Sequence, residues 1–425
     1  MIPLPLDCQG AGLMPQDRRF ERVKQRIAGY RDEMIALQRE LVRRVAVGPD
    51  SDGPGEGEKA AFLTEALTQL GLKVENYPAP DDRVAGGSRP NLVARLPGSR
   101  PETLWILSHL DVVPAGELQL WESDPFTLRV EGDRLYGRGT EDDHHGIVIS
   151  WFAVKALMDE GLTPSRQVAL ALVSDEETGS QKGLGYLLDH QRELFSERDL
   201  IIVPDAGNAD GTLVEISEKS LLWLRFEIKG RQCHASKPQL GINTLRACAH
   251  LIVALETLQK EFNQTDTLFF PPISTFESTK KEANVLNINT VPGHDVFYLD
   301  CRVLPVYDLS LIKTRVTEIA STLQVRFGVE INIQTVQEVQ SPPATPIEAP
   351  VVQTLCRAIE EVYQRPARPG GIGGSTVAAL FRRVGLPAAV WMTVCDTAHQ
   401  PNEYTTLENL IGDCQVLARV MLDAG

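Results

Sequence analysis

The feature that most constrains this chain is a set of short apolar runs with no polar–apolar alternation: NLVARL at 91–96, TLWILSHL at 103–110, QVALALVS at 167–174 and LIIVPD at 200–205. A strand that is apolar at every position must be covered on both faces, as strands of a parallel sheet flanked by helices are. Helical patterns lie between the runs. One extends from about His145 to Glu160 and is closed by Gly161. Upstream, a charged amphipathic helix is expected over 18–45, then a Gly/Pro/Asp-rich loop from Gly48 to Gly57, then a helix from Glu58 to Leu70 that stops at Gly71. The expected fold class is α/β: a mixed, largely parallel sheet with helices on both faces.

The texture changes near Ser220. LLWLRFEIKG alternates apolar and polar residues, as a half-exposed antiparallel strand does. A helix is expected over 245–262, a strand around Asn284–Thr290, another in DVFYLDCRVLP, a helix over 309–327 and a strand in EINIQTVQEV. That β-α-β-β-α-β string is the pattern of a ferredoxin-like α+β sandwich. The Pro-rich SPPATP at 341–346 reads as a return linker, after which helix 350–363, a glycine loop, helix 376–384 and strand AAVWMTV resume the first texture. A length of 425 residues suits two domains. The expected division is 1–218 and 340–425 as a discontinuous catalytic domain, with 219–339 inserted. There are no internal repeats.

Charge narrows the function classes. With 42 basic and 57 acidic residues the formal net charge is −15, which disfavours nucleic acid and anionic membrane as partners. The seven cysteines, at 8, 233, 248, 301, 356, 395 and 414, are odd in number and form no Cys-x-x-Cys, so reduced thiols are expected rather than a disulfide framework. The first seventeen residues show no secretory signal, and no window of 18 consecutive apolar residues occurs. A cytoplasmic location is the expectation.

Chemistry concentrates where the apolar runs end. His109 and Asp111 follow the run in LSHLDVVP, Glu176–Glu177 follow in VSDEETGS, Asp205 in IIVPDAGN and His399 in DTAHQPNE, while Asp142 stands at a helix start in GRGTEDDHHG. Ligands of open α/β sheets bind at that edge. Imidazole nitrogen and carboxylate oxygen are the usual ligands of catalytic zinc. Two His and three carboxylates suffice for two metals if one carboxylate bridges, and of an adjacent Glu–Glu pair one member can bind metal while the other moves a proton. Singly, each signal also has a plain structural reading: a strand-end histidine, a helix-capping aspartate, a solvated turn. Their order and shared edge carry the argument.

SHLDVVP, GRGTEDD, SDEETGS, VPDAG and TAHQPNE together resemble the five successive metal-site motifs of the two-zinc metallohydrolase family that includes aminoacylase, succinyl-diaminopimelate desuccinylase, acetylornithine deacetylase and glutamate carboxypeptidase. The resemblance spans about 90 to 412 and implies a zinc-peptidase-like catalytic domain with an inserted lid and dimerisation domain. It implies two Zn2+ per subunit, with Co2+ or Mn2+ able to substitute. His109 and Asp205 would hold one ion, Glu177 and His399 the other, and Asp142 would bridge. Glu176 would be the general base and acid, and Asp111 would orient His109.

In the inserted segment CHASKPQLGIN resembles the lid motif whose histidine stabilises the oxyanion, often reaching a partner subunit's site, which assigns that role to His234. Asn284 in EANVLNINTVPG resembles the Asn at the family's substrate-contacting position. Arg302 in DCRVLP resembles the arginine that grips the substrate carboxylate; its alternative is a strand-face salt bridge. In GGIGGSTVAAL the resemblance points to Gly373, Gly374, Ser375 and Thr376 as substrate contacts, against the alternative of a tight turn; no phosphate-loop Lys is present. One departure stands out. Where the family commonly has Lys-Gly after the Asp-Asp pair, this chain has His144-His145-Gly146. Both histidines are read as helix-face residues rather than ligands.

The implied activity is hydrolysis of an N-acyl amino acid. The alternatives are a dipeptidase or carboxypeptidase with the same chemistry, and a metal-binding relative without catalysis. A small-molecule substrate and a homodimer formed through the inserted domain complete the expectation.

Overall fold

The computed structural model describes residues 15–423, so the expectations about a leader and Cys8 lie outside the described residues. The chain separates into two compact units. The first comprises the segments up to Val214, Ile347–Arg368 and from Leu386 onward; the second comprises Glu215–Pro346 and Pro369–Gly385.

In the first unit six sheet strands run side by side in the order Lys73–Asn76, Leu92–Leu96, Arg166–Val173, Arg100–His109, Leu200–Asn208, Ala388–Thr393. The strands beginning at 100, 166, 200 and 388 are mutually parallel, and those beginning at 73 and 92 join by antiparallel pairing. Leu104–His109, Val168–Val173 and Ala388–Thr393 are buried at every position. Continuous burial along a strand requires cover on both faces, and this unit meets the mixed, largely parallel α/β expectation. The helix His144–Asp159 and the C-terminal helix Leu407–Leu422 pack against each other as part of that cover.

The amphipathic stretch expected over 18–45 is two helices, Pro15–Ala28 and Arg31–Val42, separated at Gly29–Tyr30. A glycine there breaks the helical run without disturbing the apolar period that suggested one helix.

The second unit has the β-α-β-β-α-β order, with a sheet in the order Thr275–Lys281, His294–Val303, Ser220–Lys229, Glu330–Val339. All its neighbours are antiparallel. Leu222, Leu224, Phe226 and Ile228 point to one face and form a core with Ala247, Leu251, Ile312 and Val316 of the two helices. Phe226 and Phe297 stack there with centroids 4.5 Å apart. The expected single helix over 245–262 is two, Thr244–Leu255 and Thr257–Glu261.

One strand lies elsewhere than its sequence pattern suggests. NVLNINT alternates like a strand, but it forms a loop in which Leu286 and Ile288 are fully exposed, and only Thr290–Val291 pairs, with Cys233–His234. The actual second strand is Thr275–Lys281, TFESTKK, a polar edge strand with no buried position. An edge strand needs little apolar surface, so periodicity gives no sign of it.

The glycine loop belongs to the second unit, although the sequence division had placed it with the catalytic portion. Gly371 N–H donates to Leu268 O (2.7 Å), Lys219 N–H to Ile372 O (3.0 Å), and Arg302 Nη1 to Gly373 O (2.9 Å). These long-range bonds outweigh chain continuity with the strand at 388.

Candidate metal centre

The parallel strands end together. His109 is the last residue of its strand and pairs in register with Val173, just before the turn that carries Glu176 and Glu177; Asp205 lies near the end of the neighbouring strand. His399 follows the strand Ala388–Thr393, and Asp142 stands just before the helix that begins at His144. Residues from five distant segments of the chain therefore meet at one edge.

Asp142 is at the centre. Its Oδ1 lies 2.7 Å from His109 Nε2 and its Oδ2 3.0 Å from His399 Nε2. His109 Nε2 is also 3.6 Å from Asp205 Oδ1, and His399 Nε2 is 3.0 Å from Glu177 Oε2. His109 thus contacts Asp205, His399 contacts Glu177, and Asp142 touches both histidines. Asp111 is buried beneath them. Its Oδ1 accepts the Glu176 backbone N–H and its Oδ2 that of Glu177, both at 3.1 Å, so it anchors the glutamate turn as well as facing His109 Nδ1.

Asp143 also reaches the cluster, with ligand-capable oxygens near His109 and Asp205. Both of its carboxylate oxygens are occupied, however: Oδ2 accepts the His109 backbone N–H (3.0 Å) and Oδ1 caps the helix at Gly146 N–H (3.0 Å). We read it as a helix cap.

The electrostatics describe a crowded anionic site. Burial pulls the His109 imidazole down, but Asp111, Asp142 and Asp205 outweigh it and hold the group well above its ordinary range. Hydrogen bonds to Asp142 and Glu177 push His399 up to about 10. Burial, then Asp205 and the other carboxylates, drive Glu176 well above the usual carboxylate range; burial and Asp142 raise Glu177. No hydrogen bond reaches the Glu176 carboxylate from any described residue, and Glu177 Oε1 is buried without a partner. Without metal, the cluster holds together only by keeping protons on imidazoles and carboxyls. Divalent cations fit the same demand with the donors present, two imidazoles and three carboxylates.

The two departing histidines belong to neither group of metal-capable side chains. His145 is fully buried, with Nδ1 2.8 Å from Thr405 Oγ1 and Nε2 2.9 Å from Asp413 Oδ2. His144 Nε2 lies 2.7 Å from the buried Lys59 ammonium, which also donates to Leu110 O at 2.8 Å. Lys59 is one of several buried charged groups that the sequence did not disclose. Arg89 is another: it pairs with Glu56 and lies 3.5 Å from Asp175, behind the glutamate turn. Neither stands in a chemical motif. Glu141 and Glu403 lie inside the motifs GRGTEDD and TAHQPNE, yet their residue type alone does not mark them as groups that hold the backbone.

The remaining candidates lie in the second unit. His234 is exposed, and its Nδ1 accepts from Ser236. Asn284 Nδ2 donates to Asp295 Oδ1 at 2.9 Å. Arg302 forks onto Asp300, Nε to Oδ1 at 2.8 Å and Nη2 to Oδ2 at 3.1 Å, so the strand-face salt bridge does form here. Gly373, Gly374 and Ser375 form an open bend, whereas Thr376 is buried and its hydroxyl donates to Glu218 Oε1 (2.9 Å).

Residues 105–423 match the Peptidase family M20/M25/M40. An uncharacterized metallohydrolase of Methanocaldococcus jannaschii is 36% identical over 405 residues, 92% of this chain and 99% of that protein. Succinyl-diaminopimelate desuccinylase of Bordetella parapertussis is 27% identical over 380 residues, 89% of this chain and 94% of its own length. In three dimensions human carnosine dipeptidase 1 superposes with a TM-score of 0.72 at 19% identity, over 95% of this chain and 98% of that one, which is a likeness of fold. This chain belongs to peptidase family M20/M25/M40 and is a metal-dependent hydrolase of amide or peptide bonds.

Proposed function

We propose that the protein removes the acyl group from an N-acyl amino acid, as a two-zinc deacylase of the desuccinylase or deacetylase type. The observation that carries the reading is the Asp142 carboxylate spanning His109 and His399, beside a Glu176 carboxylate that no protein group engages. His109 and Asp205 would hold one zinc and Glu177 and His399 the other, with Asp142 shared. Divalent cations held there would supply Lewis acidity towards the scissile carbonyl and towards water.

The side chains supply the rest. Glu176 takes the proton of the attacking water and returns it to the departing amine nitrogen; its free, half-buried carboxylate suits a group that must hold a proton and release it within one turnover. Asp111 fixes both glutamates through their backbone N–H groups, so Glu176 keeps its aim whichever protonation state it holds. His234 donates to the oxyanion, Arg302 binds the substrate carboxylate, and Asn284 with the 373–376 bend makes further substrate contacts. A homodimer formed through the second unit and a cytoplasmic location go with this reading. Among the described residues no helix is long and apolar enough to cross a membrane.

The 27% identity to a desuccinylase supports the deacylase reading over the dipeptidase or carboxypeptidase alternative, which uses the same groups. The test is a panel of N-succinyl and N-acetyl amino acids against dipeptides and C-terminal peptides, assayed with Zn2+, Co2+ and Mn2+. Dominant kcat/KM on N-acyl amino acids supports the proposal; dominance of dipeptides or peptides replaces it with the alternative.

A further inference from the structure

Two buried glutamates tie the ligand-bearing segments of the first unit to each other. Glu403, in the segment that carries His399, is completely buried. Its Oε1 accepts the backbone N–H groups of Glu141 (3.0 Å) and Asp142 (3.1 Å); its Oε2 accepts that of Gly139 (3.0 Å) and pairs with the Arg138 guanidinium. Glu141, beside Asp142 and 1% exposed, does the converse. Its Oε1 accepts the Cys395 backbone N–H, and its Oε2 accepts the backbone N–H and the hydroxyl of Thr397 at 2.6 and 2.7 Å. Each glutamate belongs to one ligand-bearing segment and grips the backbone of the other.

The gripped segment has an unusual backbone. Asp396, His399 and Asn402 have φ of 58°, 63° and 60°, the left-handed region that L side chains adopt uncommonly and that Asp, His and Asn adopt more readily than most. Asn402 is held by Glu122 N–H and Leu120 O, at 2.8 and 3.0 Å. The approach to Asp396 and His399 is held by Glu141. On the other side Gly139 has φ 88°, and a Cβ there would lie 2.6 Å from the His144 ring, so only glycine brings its N–H to Glu403. A carboxylate that accepts two or three N–H groups cannot be replaced by an amide without setting an NH2 against one of those donors.

We propose that Glu141 and Glu403 are positioning residues that set the shared geometry of Asp142 and His399, and with it the affinity of the metal those two side chains bind. The proposal rests on the reading of Asp142 and His399 as ligands. It makes the two segments one unit: loosening either brace displaces a ligand on the opposite segment.

The test is metal binding by the full chain, stripped of metal and titrated with Zn2+ against a chromophoric chelator, and with Co2+ followed by its visible absorption. Glu141→Gln and Glu403→Gln are each expected to weaken at least one metal equivalent by about 10–100-fold and to change the Co2+ bands. Thr397→Val, which removes one donor to Glu141, is expected to weaken it a few-fold. Leu251→Ala, in the core of the second unit, should lower thermal stability and leave both readouts unchanged. Wild-type affinity and Co2+ spectrum in both Gln variants overturn the proposal; should those variants fail to fold, wild-type values in Thr397→Val do so. If Asp142→Ala and His399→Ala also bind metal normally, the ligand reading itself has failed, a separate outcome.

Discussion

The Ser236 backbone N–H donates to Nδ1 of His234 across 3.1 Å. A neutral imidazole that accepts at Nδ1 keeps its proton on Nε2, so the exposed ring is already in the tautomer that can donate to a developing oxyanion. His234→Ala should therefore lower kcat by about 10²–10³ while KM changes little, because the bond forms only as charge develops. Metal content should stay at the wild-type level. Steady-state kinetics with metal analysis checks this; an unchanged kcat removes His234 from the mechanism.

No described residue bonds the Glu176 carboxylate, so replacing that side chain leaves no partner unpaired. Glu176→Gln should fold, retain its metals and lose turnover by about 10²–10⁴-fold, the range for a lost general base. Metal analysis beside single-turnover kinetics separates the two effects. Loss of metal together with activity would recast Glu176 as a ligand.

Stripping the metals should be felt in stability as well as catalysis. The carboxylates of Asp142, Glu177 and Asp205 meet only two imidazoles, and metals that bind the folded chain alone stabilise it by mass action, about 4 kcal/mol at a free concentration a thousand times Kd. Calorimetry should show a transition that rises with added Zn2+, and chelation should abolish activity reversibly. Activity that survives exhaustive chelation contradicts the site.

That these His, Asp and Glu side chains meet was legible because each ends an apolar strand or opens a helix, points where such residues are chemically distinctive. The braces were not legible. Glu141 and Glu403 act on backbone N–H groups some 260 residues away in sequence, and nothing in the residue type announces a partner of that kind. The polar edge strand at 275–281 escaped for the opposite reason, having no buried face to pattern, while NVLNINT patterned like a strand and is not one. Arg302 was legible as an arginine on a strand; that Asp300 occupies its fork became visible only with the register in hand.

Lys59 makes folding depend on pH. Full burial pushes its ammonium down to about 7, against the pull of Asp111, Glu56, Glu403 and Asp143, with His144 in contact. The unfolded lysine titrates near 10.4, so between about pH 7 and 10 the unfolded chain binds the extra proton and stability rises with pH. The penalty is complete below the folded value and relieved as pH climbs through the unfolded one. Lys59→Met abolishes this dependence. In metal-free protein, the stability of wild type relative to Lys59→Met should increase by about 2–3 kcal/mol from pH 7.5 to 9.5. Denaturant unfolding at the two pH values checks it; a flat difference means the buried lysine keeps its proton.

Arg302, proposed to bind the substrate carboxylate, is already paired. Asp300 takes two of its N–H groups and is itself held by Trp223 Nε1 at 2.6 Å, while Nη1 donates to Gly373 O. On that proposal a substrate carboxylate would share the guanidinium with Asp300 or displace it, and the resident aspartate would weaken binding. Two opposite outcomes follow from one geometry. Arg302→Met should raise KM for carboxylate-bearing substrates about 10–100-fold with a smaller effect on kcat, and should erase the preference over the corresponding carboxamide, since charge-assisted pairs of this kind contribute about 1.5–3 kcal/mol. Asp300→Asn should lower KM for the carboxylate and leave the carboxamide unaffected, because it frees the fork without removing it. A panel of matched acid and amide substrates reads both variants. If Asp300→Asn raises KM instead, the aspartate serves to aim the guanidinium rather than to compete for it, and if Arg302→Met leaves the preference intact, the carboxylate is held elsewhere.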